Sequence, residues 1–200
     1  MADLSVSVLP AIAEIEATAW DGCGAAAGLR GDPFTTHRFL AALEASGSVG
    51  RGTGWQPAHL VARDGAAVVG VAPLYLKTHS QGEYIFDHAW ADAWERAGGD
   101  YYPKLQIAAP FSPVPGPRLL LRDPASAPAL IAAVEAVTEQ NGLSSAHATF
   151  VAPDQLLPAA HALAKDMLSC DPAVLRANLG VLLKHQDDIE RASTLLKLDA

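Results

Sequence analysis

The sequence predicts a mixed α/β domain of layered helices and strands, on three observations. The apolar period changes from helical to extended near Trp55, an Asp64-Gly65 pair sits between two β-branched runs, and helices then alternate with short strands to the end of the middle region. Half of the 200 residues are apolar, enough for one substantial core or a core plus a small appendage.

Taken in order, Leu4 to Val8 is expected as a short strand, and Pro10 to about Trp20 as a helix, with Pro10 in the tolerated first turn. The glycine-rich stretch DGCGAAAGLRGDP then reads as a loop, with a turn of helix open for Ala25 to Ala27. A helix follows over FTTHRFLAALEASG, with Thr35 as N-cap, a staple between Phe34 and Phe39, and Gly47 as terminator. Two extended runs about Asp64-Gly65 form a hairpin; Gly70 marks a bulge or close approach, and Pro73 a bend. YIFDHAWADAWERAGG is expected as a helix capped by Asp87 and stopped by Gly98-Gly99. On it, Trp90 and Trp94 share an apolar side read as core, while His88, Asp92 and Arg96 form a polar line. Strands are expected at Leu105 to Ala109 and Arg118 to Arg122. A helix then spans Pro128 to Gln140 with Leu130, Ile131, Val134 and Val137 inward, and a last strand falls at SSAHATFV. The domain boundary is expected near residue 165, with residues 166–200 forming a helical hairpin begun by Asp171 and Pro172.

A formal charge of −8 excludes a phosphate-neutralising DNA surface and a polybasic membrane patch. No run of about eighteen apolar residues predicts a membrane span, and the amino terminus lacks the basic region of a signal peptide, so the expectation is a cytoplasmic protein. Cys23 and Cys170 are read as buried filler rather than as a disulfide framework or reactive thiols. The scattered histidines form no metal-ligand spacing, and no tightly bound cofactor is expected.

The segments DPFTTHRFLAALEASGSVGRGTGWQPAHL, VGVAPLYLKTHSQGEYIFDHAWADAWERAGGDYYPKLQIAAPFSPVPGPRLL and AHATF resemble the GNAT-like, FemAB-related acyltransferase family tied to peptidoglycan biosynthesis, over about residues 10 to 155. The resemblance implies a GNAT-like module and transfer of an acyl group from an activated donor, acyl-CoA or aminoacyl-tRNA, to an amine such as a small molecule or cell-wall precursor. Members usually contain two such modules. The basic stretch that leads into the second is missing after AHATF, so the expectation is a first module alone, truncated and incomplete for catalysis. The tail weakly resembles a single tetratricopeptide repeat at Leu179, Gly180, Ala192 and Leu196, which would make it a contact for a protein partner or a dimer. A non-catalytic binding or interaction fragment is the alternative reading.

Acylating an amine needs a group to take the amine proton and donors for the oxyanion. The richest stretch is KTHSQGEYIFDHAWADAWERAGGDYYPK. Within it Glu83, outside the regular helix, and the pair His88 and Asp92, one turn apart, are the catalytic candidates; His88 stays open as base or surface histidine. His79, Tyr84, Trp90, Tyr101, Tyr102 and Lys104 are the candidate substrate contacts, the last three on a presented loop before a strand. No GxGxxG or Walker pattern and no pyrophosphate loop of the CoA-using type is present, so no cofactor-binding residues are assigned.

Overall fold

The computed structural model describes residues 4–29 and 32–151. Strand β1 (Leu4–Leu9) is followed by a 3-10 turn at Ile12–Glu14, helix α1 (Ala17–Ala26) and helix α2 (His37–Ala45); a second 3-10 turn, Pro124–Ser126, comes late in the chain. Then come β2 (Trp55–Pro57), β3 (His59–Asp64), β4 (Ala67–Ala72), β5 (Leu74–Lys77), α3 (His88–Arg96), β6 (Lys104–Ile107), β7 (Leu120–Leu121), α4 (Ala127–Gln140) and β8 (Ala146–Ala148). The class is mixed α/β. The helical hairpin expected over 166–200, its repeat-like character and Cys170 all lie outside the described residues.

The strands form two four-stranded sheets, β1-β3-β4-β7 and β2-β5-β6-β8. The first is antiparallel throughout; in the second only β6 and β8 run parallel. The hairpin turns on Gly65-Ala66, since Asp64 pairs with Ala67, and Gly65 holds the φ of +54° that such a turn requires. The expected irregularity falls at Val69, left between the pairs Ala62–Gly70 and Arg63–Val68; its carbonyl accepts from the Arg122 and Asp123 N–H groups. Pro73, which has no N–H to give a ladder, is where the chain leaves the first sheet for the second.

The cores sit on opposite faces of the first sheet. Trp20 and Cys23 of α1 and Leu40 of α2 pack with Val61, Val71 and Leu120 on one side; Leu130 and Val134 of α4 pack with Leu60, Ala62 and Ala72 on the other. That second core continues onto Leu74, Leu105 and Ile107, so α4 also covers one face of the second sheet. At Gly70 α4 comes close: an added Cβ would lie 2.7 Å from Ser126 Oγ and 3.2 Å from Leu130 Cδ1.

Several expectations need correction. Helix α1 begins within the expected helix but runs on to Ala26 through the stretch read as a loop, and Pro10 to Ile15 holds only the first 3-10 turn. Burying Trp20 and Cys23 against the sheet outweighs the local cost of Gly22 and Gly24, and the Arg122 side chain lies where a Gly22 Cβ would be. The cap of α2 is Thr36, whose hydroxyl accepts from Phe39 N–H; Phe34 and Phe39 still meet edge to face at 5.5 Å. Trp90 and Trp94 are exposed, and α3 buries Ala91 instead; Ile131 is likewise exposed on α4. Asp87 occupies the position before α3 without capping it, because its carboxylate is engaged elsewhere. Among the described residues no helix is long and apolar enough to cross a membrane.

Candidate functional site

Strand alternation gives the second sheet an apolar face, with Leu74, Leu76, Leu105 and Ile107 under α4, and an opposite face of another character. On that other face Lys77 stands directly opposite Lys104, Tyr75 opposite Gln106 and Trp55 opposite Lys77, while Gln106 pairs with His147 of β8. Lys77, Lys104, Tyr75 and Gln106 have no solvent exposure. A buried row of this kind requires partners, because an uncompensated ammonium in an apolar interior is very unfavourable.

The partners arrive on the segment between β5 and α3. Glu83 Oε2 accepts from Lys104 Nζ at 3.0 Å, and Glu83 Oε1 lies 3.8 Å from Lys77 Nζ. Asp87 accepts from the Tyr101 hydroxyl at 2.9 Å, from the Tyr102 hydroxyl at 2.7 Å and from Lys104 Nζ. Lys77 Nζ donates to the Gln81 carbonyl at 3.0 Å and sits 3.6 Å above the Trp55 ring. The Trp55 indole N–H donates to the same carbonyl at 2.9 Å. Gly82, at φ +80°, lets the segment lie against Phe111, where a Cβ would meet ring carbons at 2.6 Å.

These contacts set the ionisation of the group. Burial pushes Lys77 down to about 8, with Lys104 adding to the fall and Glu83 opposing it. Burial raises Glu83 from its ordinary value even though Lys104 pulls it down. Burial also works against Asp87, but hydrogen bonds from Lys104, Tyr102 and Tyr101 together hold it below the ordinary value. Both tyrosines are raised, by burial and then by Asp87. His147, whose Nδ1 is 3.5 Å from Lys104 Nζ and whose Nε2 meets Ser145 Oγ at 3.0 Å, is lowered to about 4 by burial and by Lys104. Glu83 Oε1 is buried with no hydrogen-bond partner. The arrangement therefore holds a carboxylate of raised proton affinity, with one oxygen outside any hydrogen bond, beside a lysine whose proton affinity is lowered.

A family described as peptidoglycan biosynthesis/recognition, FemAB-like, matches residues 11–171. The chain belongs to the FemAB-like family. No curated protein matches it significantly. Among solved structures it is similar to the aminoglycoside N-acetyltransferase AAC(6')-Iy in complex with CoA, with 14% identity over 82% of this chain and 87% of that one and a TM-score of 0.47. A likeness that distant carries no chemistry across, so membership rests on the family match.

In this FemAB-like chain the structure brings together Glu83, Tyr101, Tyr102 and Lys104 of the expected site residues. It does not bring the others to that cluster. His88 is exposed and stacks on Phe86 at 5.9 Å, and no hydrogen bond or ion pair joins it to exposed Asp92. Tyr84 and Trp90 are also exposed, and half-buried His79 packs against Gly54, where its ring occupies the place of a Cβ. Lys77, Asp87, His147 and Trp55 belong to the cluster and were missing from the expected set. Lys77 and Lys104 carried a usable signal: with Tyr75 and Gln106 they repeat a polar residue at every second position of two apolar strands.

Proposed function

We propose that this chain carries an acyl-transfer site in which an amine attacks the carbonyl of an activated donor and Glu83 takes the amine proton. The observation that carries the reading is the buried Glu83 carboxylate, with Oε2 on Lys104 and Oε1 3.8 Å from Lys77 but in no hydrogen bond. An ammonium must lose a proton before its lone pair can attack. A carboxylate raised by burial is a stronger acceptor than one in water, and a positioned base contributes about 10²–10⁴-fold. The nitrogen forms its bond to the carbonyl carbon, the bond to the donor's thiol or hydroxyl breaks, and that leaving group departs. Lys104 keeps Glu83 ionised between turnovers, and Asp87 with the two tyrosines keeps Lys104 in place. Tyr84 of the segment between β5 and α3, and His88, Trp90 and Asp92 of α3, all exposed, are assigned to contact with the acceptor, and His79 to support of that segment. The donor class, acyl-CoA or aminoacyl-tRNA, follows from the family resemblance.

The test is to incubate the purified chain with each donor class and a panel of primary amines, and to look for the amide by mass spectrometry. The expected result is product with one donor class and a loss of about 10²-fold or more in Glu83→Gln. No amide from any pairing overturns the reading for this chain. A second reading, a non-catalytic binding domain, is favoured by the charge balance of the cluster: two lysines face two carboxylates, as in many purely structural networks. Ligand binding without turnover would select it.

A further inference from the structure

We propose that Lys77 and Lys104 form an oxyanion-binding clamp, for a carboxylate or phosphate group of a ligand, and that the chain's own Glu83 occupies this clamp in the present structure. Three observations carry the proposal. First, two fully buried lysines stand directly opposite each other on neighbouring strands. Like charges so placed repel, and apolar residues of similar size are often as good or better for stability at such positions. Hydrophobic packing alone therefore does not call for a lysine at both positions, whereas an anion held between them does.

Second, Glu83 bridges the two ammonium groups as a ligand oxyanion would, one oxygen towards each, at 3.0 Å and 3.8 Å. The fit is complete only at Lys104. Oε1 makes no hydrogen bond, and Lys77 has the Gln81 carbonyl and the Trp55 ring for company. An ammonium carries three donors, so Lys77 retains capacity for a better-placed oxygen. Burial, with Lys104 beside it, lowers its proton affinity against the pull of Glu83 and Asp87.

Third, the clamp and its occupant belong to different parts of the fold. The lysines are on β5 and β6, and Lys104 is also held by Asp87, so its position does not depend on Glu83. Glu83 lies on the connecting segment between Gly82 and Tyr84, both at positive φ, and the following Tyr84, Ile85 and Phe86 are exposed. Beyond Gly82 against Phe111, that stretch is held by the Gln81 carbonyl and the Glu83 carboxylate, so a competing anion displaces the Glu83 contacts to Lys104 and Lys77 rather than a core. Where the acyl-transfer reading of Glu83 also holds, on which this consequence rests, the acceptor is an amine that bears an acidic group: the acid enters the clamp and the released carboxylate meets the amine.

The experiment titrates the full chain with inorganic phosphate and with acetate at constant ionic strength, by calorimetry. Glu83→Gln removes the internal competitor and is expected to bind one of these anions about tenfold tighter than the parent chain, a change of about 1.4 kcal/mol. Adding Lys77→Met is expected to abolish that gain and Lys77→Arg to retain it. Preference for phosphate or for acetate identifies the source of the oxyanion. An unchanged affinity in Glu83→Gln, or a gain that survives Lys77→Met, overturns the clamp. If the methionine variant does not fold, Lys77→Gln in the Glu83→Gln background decides: the gain in phosphate or acetate affinity is lost if the clamp exists, and kept if it does not. The two readings of Glu83 fail separately, because Glu83→Gln loses turnover under one and gains anion affinity under the other.

Discussion

Asp87 shows how single side chains set the properties of the site. Burial alone would raise its pKa, yet the Lys104 ammonium and the Tyr102 and Tyr101 hydroxyls hold it below the ordinary carboxylate value. A carboxylate whose folded value is depressed contributes stability that is present above its unfolded value, about 3.9, and lost as the pH falls through the folded value. Tyr102→Phe removes one donor, so the Asp87 pKa is expected to rise and its share of acid stability to be lost at higher pH. Carbon-13 titration of the carboxyl would show the shift, and an unchanged curve would mean that Tyr102 does not support this ion. Asp87→Asn leaves Lys104 with Glu83 as its ion-pair partner and the two tyrosines with a neutral acceptor, and is expected to cost about 1–3 kcal/mol, measurable by denaturant unfolding.

At the scale of elements, the site depends on how the segment between β5 and α3 lies on the second sheet. Gly82 permits this by its positive φ and by the absence of a Cβ beside Phe111 and Trp55 Nε1, the latter 3.0 Å from where it would be. Gly82→Ala is therefore expected to shift Glu83 off Lys104 and to lower acyl transfer by about tenfold or more, while costing about 1–3 kcal/mol of stability. Parallel assays of turnover and unfolding would detect a variant that behaves like the parent and remove this role. Local pattern reached the hairpin, the bend at Pro73 and the extent of α4, because each rests on neighbouring residues. It missed the continuation of α1 past Trp20, where the burial of Trp20 and Cys23 against a sheet formed later in the chain overrides two glycines.

For the molecule as a whole, the acidic limb of stability is expected to depend on His147. Burial and Lys104 hold it at about 4, against an ordinary 6.5, so the folded chain keeps this imidazole neutral where the unfolded chain protonates it. With the folded value depressed, its contribution is present above about 6.5 and is lost as the pH falls towards about 4. Replacing it, His147→Gln, is expected to flatten the decline in unfolding free energy between those limits. An equally steep decline would place the dependence elsewhere.

The sequence by itself determined the mixed α/β class, family membership and the stretch from which Glu83, Tyr101, Tyr102 and Lys104 come, because composition, period and a long local motif are properties of neighbouring residues. Only the tertiary structure decided that His88 and Asp92 stay in solvent while Lys77, Asp87 and His147 join the cluster. The reason is the pairing of β2, β5, β6 and β8: strands separate in the chain place alternate side chains on one buried face, and no local pattern states which strands will be neighbours.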